Sequence, residues 1–153
     1  MDTHNINGIH HHKDLIKDIL MKKPFDEILR GSEMVLFVDD EKVIAETAED
    51  LLELLGYKVL IARSGKEAIR KYDEDKERID LVILDMIMPD MSGGEVYNRM
   101  KDINHKVKVL LSSGYSINGQ ATEILDRGCN GFIQKPFRMK GLSQKLREVL
   151  DEK

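Results

Sequence analysis

Beyond about residue 33 the chain repeats one pattern five times, a short apolar run followed by an amphipathic stretch with helical spacing, and this alternation limits the fold more than any other feature. The apolar runs are 34–38 (MVLFV), 58–62 (KVLIA), 81–84 (LVIL), 107–111 (VKVLL) and 131–134 (GFIQ). The first, third and fourth are nearly continuous in apolar residues, as parallel strands covered on both faces require. The first helical stripe carries Val43, Ile44, Ala48, Leu51, Leu52 and Leu55 and stops at Gly56. The second opens with Ser64 and Glu67 at capping-box spacing and turns Ala68, Ile69 and Tyr72 inward. The third uses Val96, Met100 and Ile103; the fourth Ala121, Ile124 and Leu125, ending near Gly128; the fifth Leu142, Leu146, Val149 and Leu150. Parallel strands joined through helices need right-handed crossovers, so the expected fold is α/β with a doubly wound, five-stranded parallel sheet.

The 153 residues hold one domain of ordinary size and a short extension. We place the domain at 34–153 and the extension or linker at 1–33. The extension contains His10, His11 and His12, then Leu15, Ile16, Ile19 and Leu20 at the spacing of a short helix. The histidines, without a carboxylate partner or periodic context, read as a tag remnant or solvated tail. The apolar stretch is able to dock on the domain or to pair two copies, so a homodimer is left open. A net charge of -4 with dispersed lysines and arginines argues against a nucleic-acid surface. No apolar run reaches the roughly 20 residues of a membrane-spanning helix. The single cysteine, Cys129, suits a reducing compartment, and we expect a cytoplasmic location. Its position before a strand marks it as a buried structural thiol.

In doubly wound sheets, functional groups gather at the carboxyl ends of the strands. Here those ends carry Asp39 and Asp40, then Asp85, then Ser112 and Ser113, then Lys135 with Pro136. The second strand ends in Arg63 and Ser64, read only as a helix cap. Three carboxylates brought together repel one another and raise one another's pKa unless a cation holds them. A hard divalent ion with oxygen ligands answers that need, and magnesium is usual where phosphate completes the shell. Carboxylate, cation and ammonium facing one another suit phosphoryl transfer, which depends on positioning and charge neutralisation.

The segments VLFVDDE at 35–41, LVILDMIMPDMSG at 81–93, VLLSSG at 109–114 and GFIQKPF at 131–137 resemble, in order and spacing, the four motif blocks of response-regulator receiver domains. The resemblance implies a flavodoxin-like sheet of order 2-1-3-4-5. It implies that Asp85 accepts a phosphoryl group from a phosphohistidine, with Mg2+ bound directly by Asp40, mainly through water by Asp39, and by the Ile87 backbone carbonyl. It further implies that Lys135 contacts a phosphoryl oxygen, that Ser113 supplies a switch hydroxyl and Phe132 a switch aromatic, and that a cis bond precedes Pro136. The partner would be a sensor histidine kinase or phosphotransfer protein, and the output surface would run from about Asn118 to Phe137. In this family the residues two beyond the acceptor and two beyond the switch hydroxyl influence hydrolysis of the acyl phosphate. They are Ile87 and Tyr115 here, which implies slow self-dephosphorylation. The stretch PFDEILRGSE at 24–33 resembles linkers before carboxyl-terminal receivers of hybrid sensor kinases.

Blander readings stand beside these. An Asp-Asp pair before a helix is most often a cap and dipole partner. Asp90 and Glu41 read as solvent-facing acids, Ser112 as a plain strand-end hydroxyl, and Phe132 equally as fixed core. An inert receiver-like scaffold is disfavoured because acceptor, acid pair, hydroxyl and lysine are all present. An aspartyl-nucleophile phosphatase would need a carboxylate where Ile87 stands. No glycine-rich phosphate loop follows any strand, so a nucleotide-binding reading fails. The chain is therefore expected to catalyse only its own phosphorylation and dephosphorylation rather than to act as an enzyme on other substrates.

Overall fold

The computed structural model describes residues 27–153; the histidine cluster at His10 to His12 and the apolar stretch from Leu15 to Leu20 lie outside the described residues. The alternation in the sequence becomes β1 (Met34–Val38), α1 (Lys42–Leu54), β2 (Lys58–Ala62), α2 (Gly65–Asp75), β3 (Leu81–Asp85), α3 (Gly93–Ile103), β4 (Val109–Ser113), α4 (Gly119–Asp126), β5 (Gly131–Gln134) and α5 (Met139–Leu150). The five strands pair in parallel in the order β2-β1-β3-β4-β5, as expected. Burial explains the difference between the apolar runs. β3 and β4 are buried throughout, whereas β2 and β5, the less continuous runs, are the edge strands and are only partly covered.

Two apolar layers sandwich the sheet. On one face α2, α3 and α4 bury Ala68, Tyr72, Val96, Met100, Ala121 and Ile124 against Leu36, Leu84 and Leu111. On the other, α1 and α5 bury Ala48, Leu52, Leu142, Leu146 and Val149 against Phe37, Ile83 and Leu110. Alternate residues of each strand feed opposite faces, so the central strands are apolar up to their polar carboxyl ends. Gly56 and Gly128, both with positive φ (103° and 105°), end α1 and α4 in the left-handed conformation that glycine adopts without strain.

Two expectations need correction. β4 is shifted two residues along from the apolar run 107–111, spanning Val109–Ser113, because Ser112 pairs with Asp85 and Ile133, and Ser113 with Gln134. Backbone pairing, not hydrophobicity, decides where that strand stops. Val43, assigned to the inward stripe of α1, is 73% exposed, and Ala45 is buried instead. With Ala45, Ala48, Leu52 and Leu55 facing the sheet, position 43 lies on the opposite side of the helix.

Residues 27–33, read from sequence as part of the extension, pack along α5. Ile28 is buried with Leu142 and Leu146, Leu29 N–H donates to Ser143 Oγ at 3.2 Å, and Gly31 N–H donates to the Leu55 carbonyl. Glu33 receives a bidentate pair from Arg147 at 2.8 and 2.9 Å. Among the described residues, no helix is long and apolar enough to cross a membrane.

Candidate phosphoacceptor site

Parallel pairing brings the carboxyl ends of β1, β3, β4 and β5 to one edge of the sheet, and the side chains there converge. Asp39, Asp40 and Asp85 each offer a carboxylate oxygen, all within 4.8 Å of one another. Lys135 reaches in from the end of β5, its Nζ donating to Asp39 Oδ2 at 2.9 Å and to Asp85 Oδ1 at 3.3 Å. Its backbone is anchored by a bond from Lys135 N–H to the Ser113 carbonyl, and the Lys135–Pro136 peptide is cis.

The three acids are not equivalent. Asp39 is wholly buried and both its oxygens are engaged, Oδ1 by the Glu41 N–H and Oδ2 by Lys135. Asp40 is only partly covered and borders the opening. Asp85 is 5% exposed, and burial together with the charge of Asp39 pushes its pKa up to about 6 despite the pull of Lys135. Burial also opposes the charge on Lys135, but its hydrogen bond to Asp39 and the charge of Asp85 carry its pKa above the ordinary lysine value. Three carboxylates against one ammonium leave excess negative charge in a poorly solvated place. An all-oxygen donor set, partly open to solvent and short of positive charge, fits a hard divalent cation.

The Ile87 backbone belongs to the loop at 86–92, closed at its base by the Ile87–Ser92 bridge and by Gly93 N–H donating to the Met86 carbonyl. Gly93 permits that closure, because a Cβ there would lie 2.8 Å from Met86 Cα and 2.9 Å from the Asp85 carbonyl oxygen. Ser113 ends β4 beside Asp85, and its hydroxyl accepts the Tyr115 N–H at 3.1 Å. Ser112 is fully buried, and among the described residues its hydroxyl has no hydrogen-bond partner. Phe132 sits away from the acids in β5, opposite Leu111 and partly buried against the α2–α3–α4 layer. A cleft of about 930 Å³ opens over the acids, bordered by Val43, Ile44 and Leu51 of α1, by Ile87 and Tyr115, and by Pro136 and Phe137.

Two side chains that carried no functional signal in the sequence are tied into this edge. Arg63 wraps from the end of β2 so that Nε and Nη2 donate to the Asp40 carbonyl at 3.2 and 2.7 Å. Asp90, read as a solvent-facing acid, accepts the Gly65 and Lys66 N–H groups at 2.9 and 3.0 Å. Its pKa is lowered by those bonds. Neither contact leaves a local sequence signal, since the partners lie 23 to 25 residues apart. Cys129 is buried as expected, its thiol directed at the Val109 carbonyl and its pKa raised by burial.

Comparison with known proteins agrees with this arrangement. The pattern of the response regulator receiver domain matches residues 35–147. The chain is 32% identical over 124 residues to the sensor kinase CckA of Brucella abortus, covering 81% of this chain and 13% of that protein. It is 31% identical over 116 residues to the response regulator SaeR of Staphylococcus epidermidis, covering 76% of this chain and 49% of that one. The chain thus spans only a part of the curated relatives it matches. Among solved structures, a response regulator receiver domain protein from Clostridium thermocellum superposes with a TM-score of 0.74 at 30% identity, over 78% of this chain and 94% of that one. The response regulator TrrA of Thermotoga maritima, solved in complex with Mg2+ and beryllium fluoride, gives 0.69 at 30% identity, over 76% and 98%. With the receiver pattern running from β1 into α5 and the fold shared along its length, this chain belongs to the response-regulator receiver-domain family.

Proposed function

We propose that the chain is a phospho-accepting module in which Asp85 takes a phosphoryl group from a phosphohistidine on a sensor histidine kinase or phosphotransfer protein. The observation that carries this reading is the close set of Asp39, Asp40 and Asp85 with the Lys135 ammonium 3.3 Å from Asp85. In the transfer an Asp85 oxygen forms a bond to phosphorus while the bond from phosphorus to the donor's imidazole nitrogen breaks. Lys135 turns from its carboxylate partners to a phosphoryl oxygen. Asp40, the more open acid, would hold Mg2+ directly, Asp39 chiefly through water, and Asp85 with the Ile87 carbonyl would complete the protein's share of the shell. The ion supplies neutralisation of the charge on the phosphoryl oxygens.

The new phosphoryl group adds close to two negative charges and fresh acceptor oxygens at the end of β3. The Ser113 hydroxyl, which accepts the Tyr115 N–H, is able to turn toward it. Phe132 and the α4–β5–α5 surface then carry the change to a downstream protein partner by population shift. The apolar rim formed by Val43, Ile87 and Tyr115, 73%, 59% and 69% exposed, offers the donor a docking surface around an acidic mouth. Catalysis is confined to the module's own phosphorylation and dephosphorylation, in the cytoplasm.

Amide resonances recorded as Mg2+ and then beryllium fluoride are added test the reading. Shifts centred on residues 85–87, 113–115 and 135, absent in Asp85→Asn, are the expected result. No response in the wild type would leave an inert receiver-like scaffold.

A further inference from the structure

We infer that Asp90 is a positioning residue for the cation site, acting through a closed chain of contacts that ties the two ligand-bearing loops together by way of the first turn of α2. This inference rests on the proposed ligand set of Asp39, Asp40, Asp85 and the Ile87 carbonyl. The β2–α2 connection contributes no ligand, yet it is bonded to both loops that do. On one side Arg63 holds the Asp40 carbonyl through two nitrogens. On the other, both Asp90 oxygens hold successive N–H groups of Gly65 and Lys66. Asp90 lies at the tip of the 86–92 loop, whose base is already closed at Ile87 and Gly93. Fixing tip and base leaves the Ile87 backbone little freedom to shift.

Close packing reinforces the contact. A Cβ at Gly65 would stand 2.8 Å from Met91 Cβ, so the loop lies directly on the α2 backbone. Simple capping does not account for the arrangement, because α2 has its own cap in Ser64, which accepts the Glu67 N–H, and Asp90 reaches it from 25 residues away. Carbonyl ligands contribute to affinity only when held at their productive geometry, and groups one step out from a metal tune it by restraining the ligands.

The test is a calorimetric Mg2+ titration of the wild type, Asp90→Ala, Asp90→Asn and Gly65→Ala at low salt and at about 0.5 M salt, where interaction between exposed charges is largely screened. Asp90→Ala should bind Mg2+ about tenfold more weakly, the low end for groups one shell out. A smaller loss is expected for Asp90→Asn, which keeps one acceptor oxygen. Gly65→Ala changes no charge and should also bind more weakly, by pushing Met91 and its loop off α2. In acetyl phosphate assays the Mg2+ concentration giving half-maximal phosphorylation should rise in Asp90→Ala while the rate at saturating Mg2+ is unchanged. A role in stability alone would lower the melting temperature and leave Mg2+ affinity intact, which would overturn the inference. So would equal losses in Asp90→Ala and Asp90→Asn that disappear at high salt. If the wild type itself binds no Mg2+, the proposed function fails and takes this inference with it, whereas a wild type that binds and variants that bind equally well overturn this inference alone.

Discussion

At the end of β3, Asp85, the proposed phosphoacceptor, lies in surroundings that resist its charge. Burial and Asp39 raise its pKa to about 6, and Lys135, shared with Asp39, only partly compensates. That conflict fits a site that takes a further cation, since structural carboxylates are normally paired and depressed. Under the proposed function, the residues flanking the mouth bear on the lifetime of an acyl phosphate at Asp85. Ile87 and Tyr115 are exposed beside the acceptor, and neither an aliphatic chain nor a bulky phenol orients an attacking water well. Ile87→Asn, which places an amide there, should shorten the phosphorylated lifetime several-fold as measured by loss of phosphoprotein over time. An unchanged lifetime would show that position 87 has no part in hydrolysis. Asp39, Asp40, Asp85 and Lys135 were legible as candidates because each ends or follows a strand, whereas Asp90 and Arg63 were not. Their partners are backbone groups of other loops, and no local pattern encodes them.

At the scale of elements, the strands were legible because parallel pairing demands continuous apolar runs, and the helices because each buries one stripe. What stayed hidden depended on contacts across the chain. β4 gains Ser112 and Ser113 through its neighbours, and residues 27–33 gain their place from α5, with partners 114 residues away in sequence. The Glu33–Arg147 pair gives that docked segment a measurable signature. The guanidinium of Arg147, hydrogen-bonded to both carboxylate oxygens, lowers the Glu33 pKa from 4.5 to about 2. Because the folded state holds the deprotonated form, this stabilisation is fully present above pH 4.5 and is lost as pH falls toward 2. Glu33→Gln should therefore destabilise the fold by about 1–2 kcal/mol near neutral pH, a figure kept modest by partial exposure. Denaturant midpoints of wild type and variant should converge as pH drops through that window. A constant gap at every pH would show that the pair contributes nothing specific to ionisation.

For the molecule as a whole, the two apolar layers fix the sheet, and the sheet fixes which loops meet. The fold class followed from the alternation in the sequence alone, because five apolar runs separated by amphipathic helices leave few other ways to bury both faces of the strands. The site followed less directly: its members lie up to 96 residues apart and come together only through the strand order. The cleft over the acids, bounded by α1 on one side and the β5–α5 connection on the other, is a property of that topology and could not be drawn from any single motif. This convergence is what, on the proposed function, makes Asp85 a cation-dependent phosphoacceptor. Intact-protein mass spectrometry after incubation with acetyl phosphate tests it most directly. The expected result is a gain of one phosphoryl group that requires Mg2+, maps to Asp85 and is absent in Asp85→Asn. A wild-type protein that gains nothing in the presence of Mg2+, or that gains the same group with Asp85 replaced, would contradict it.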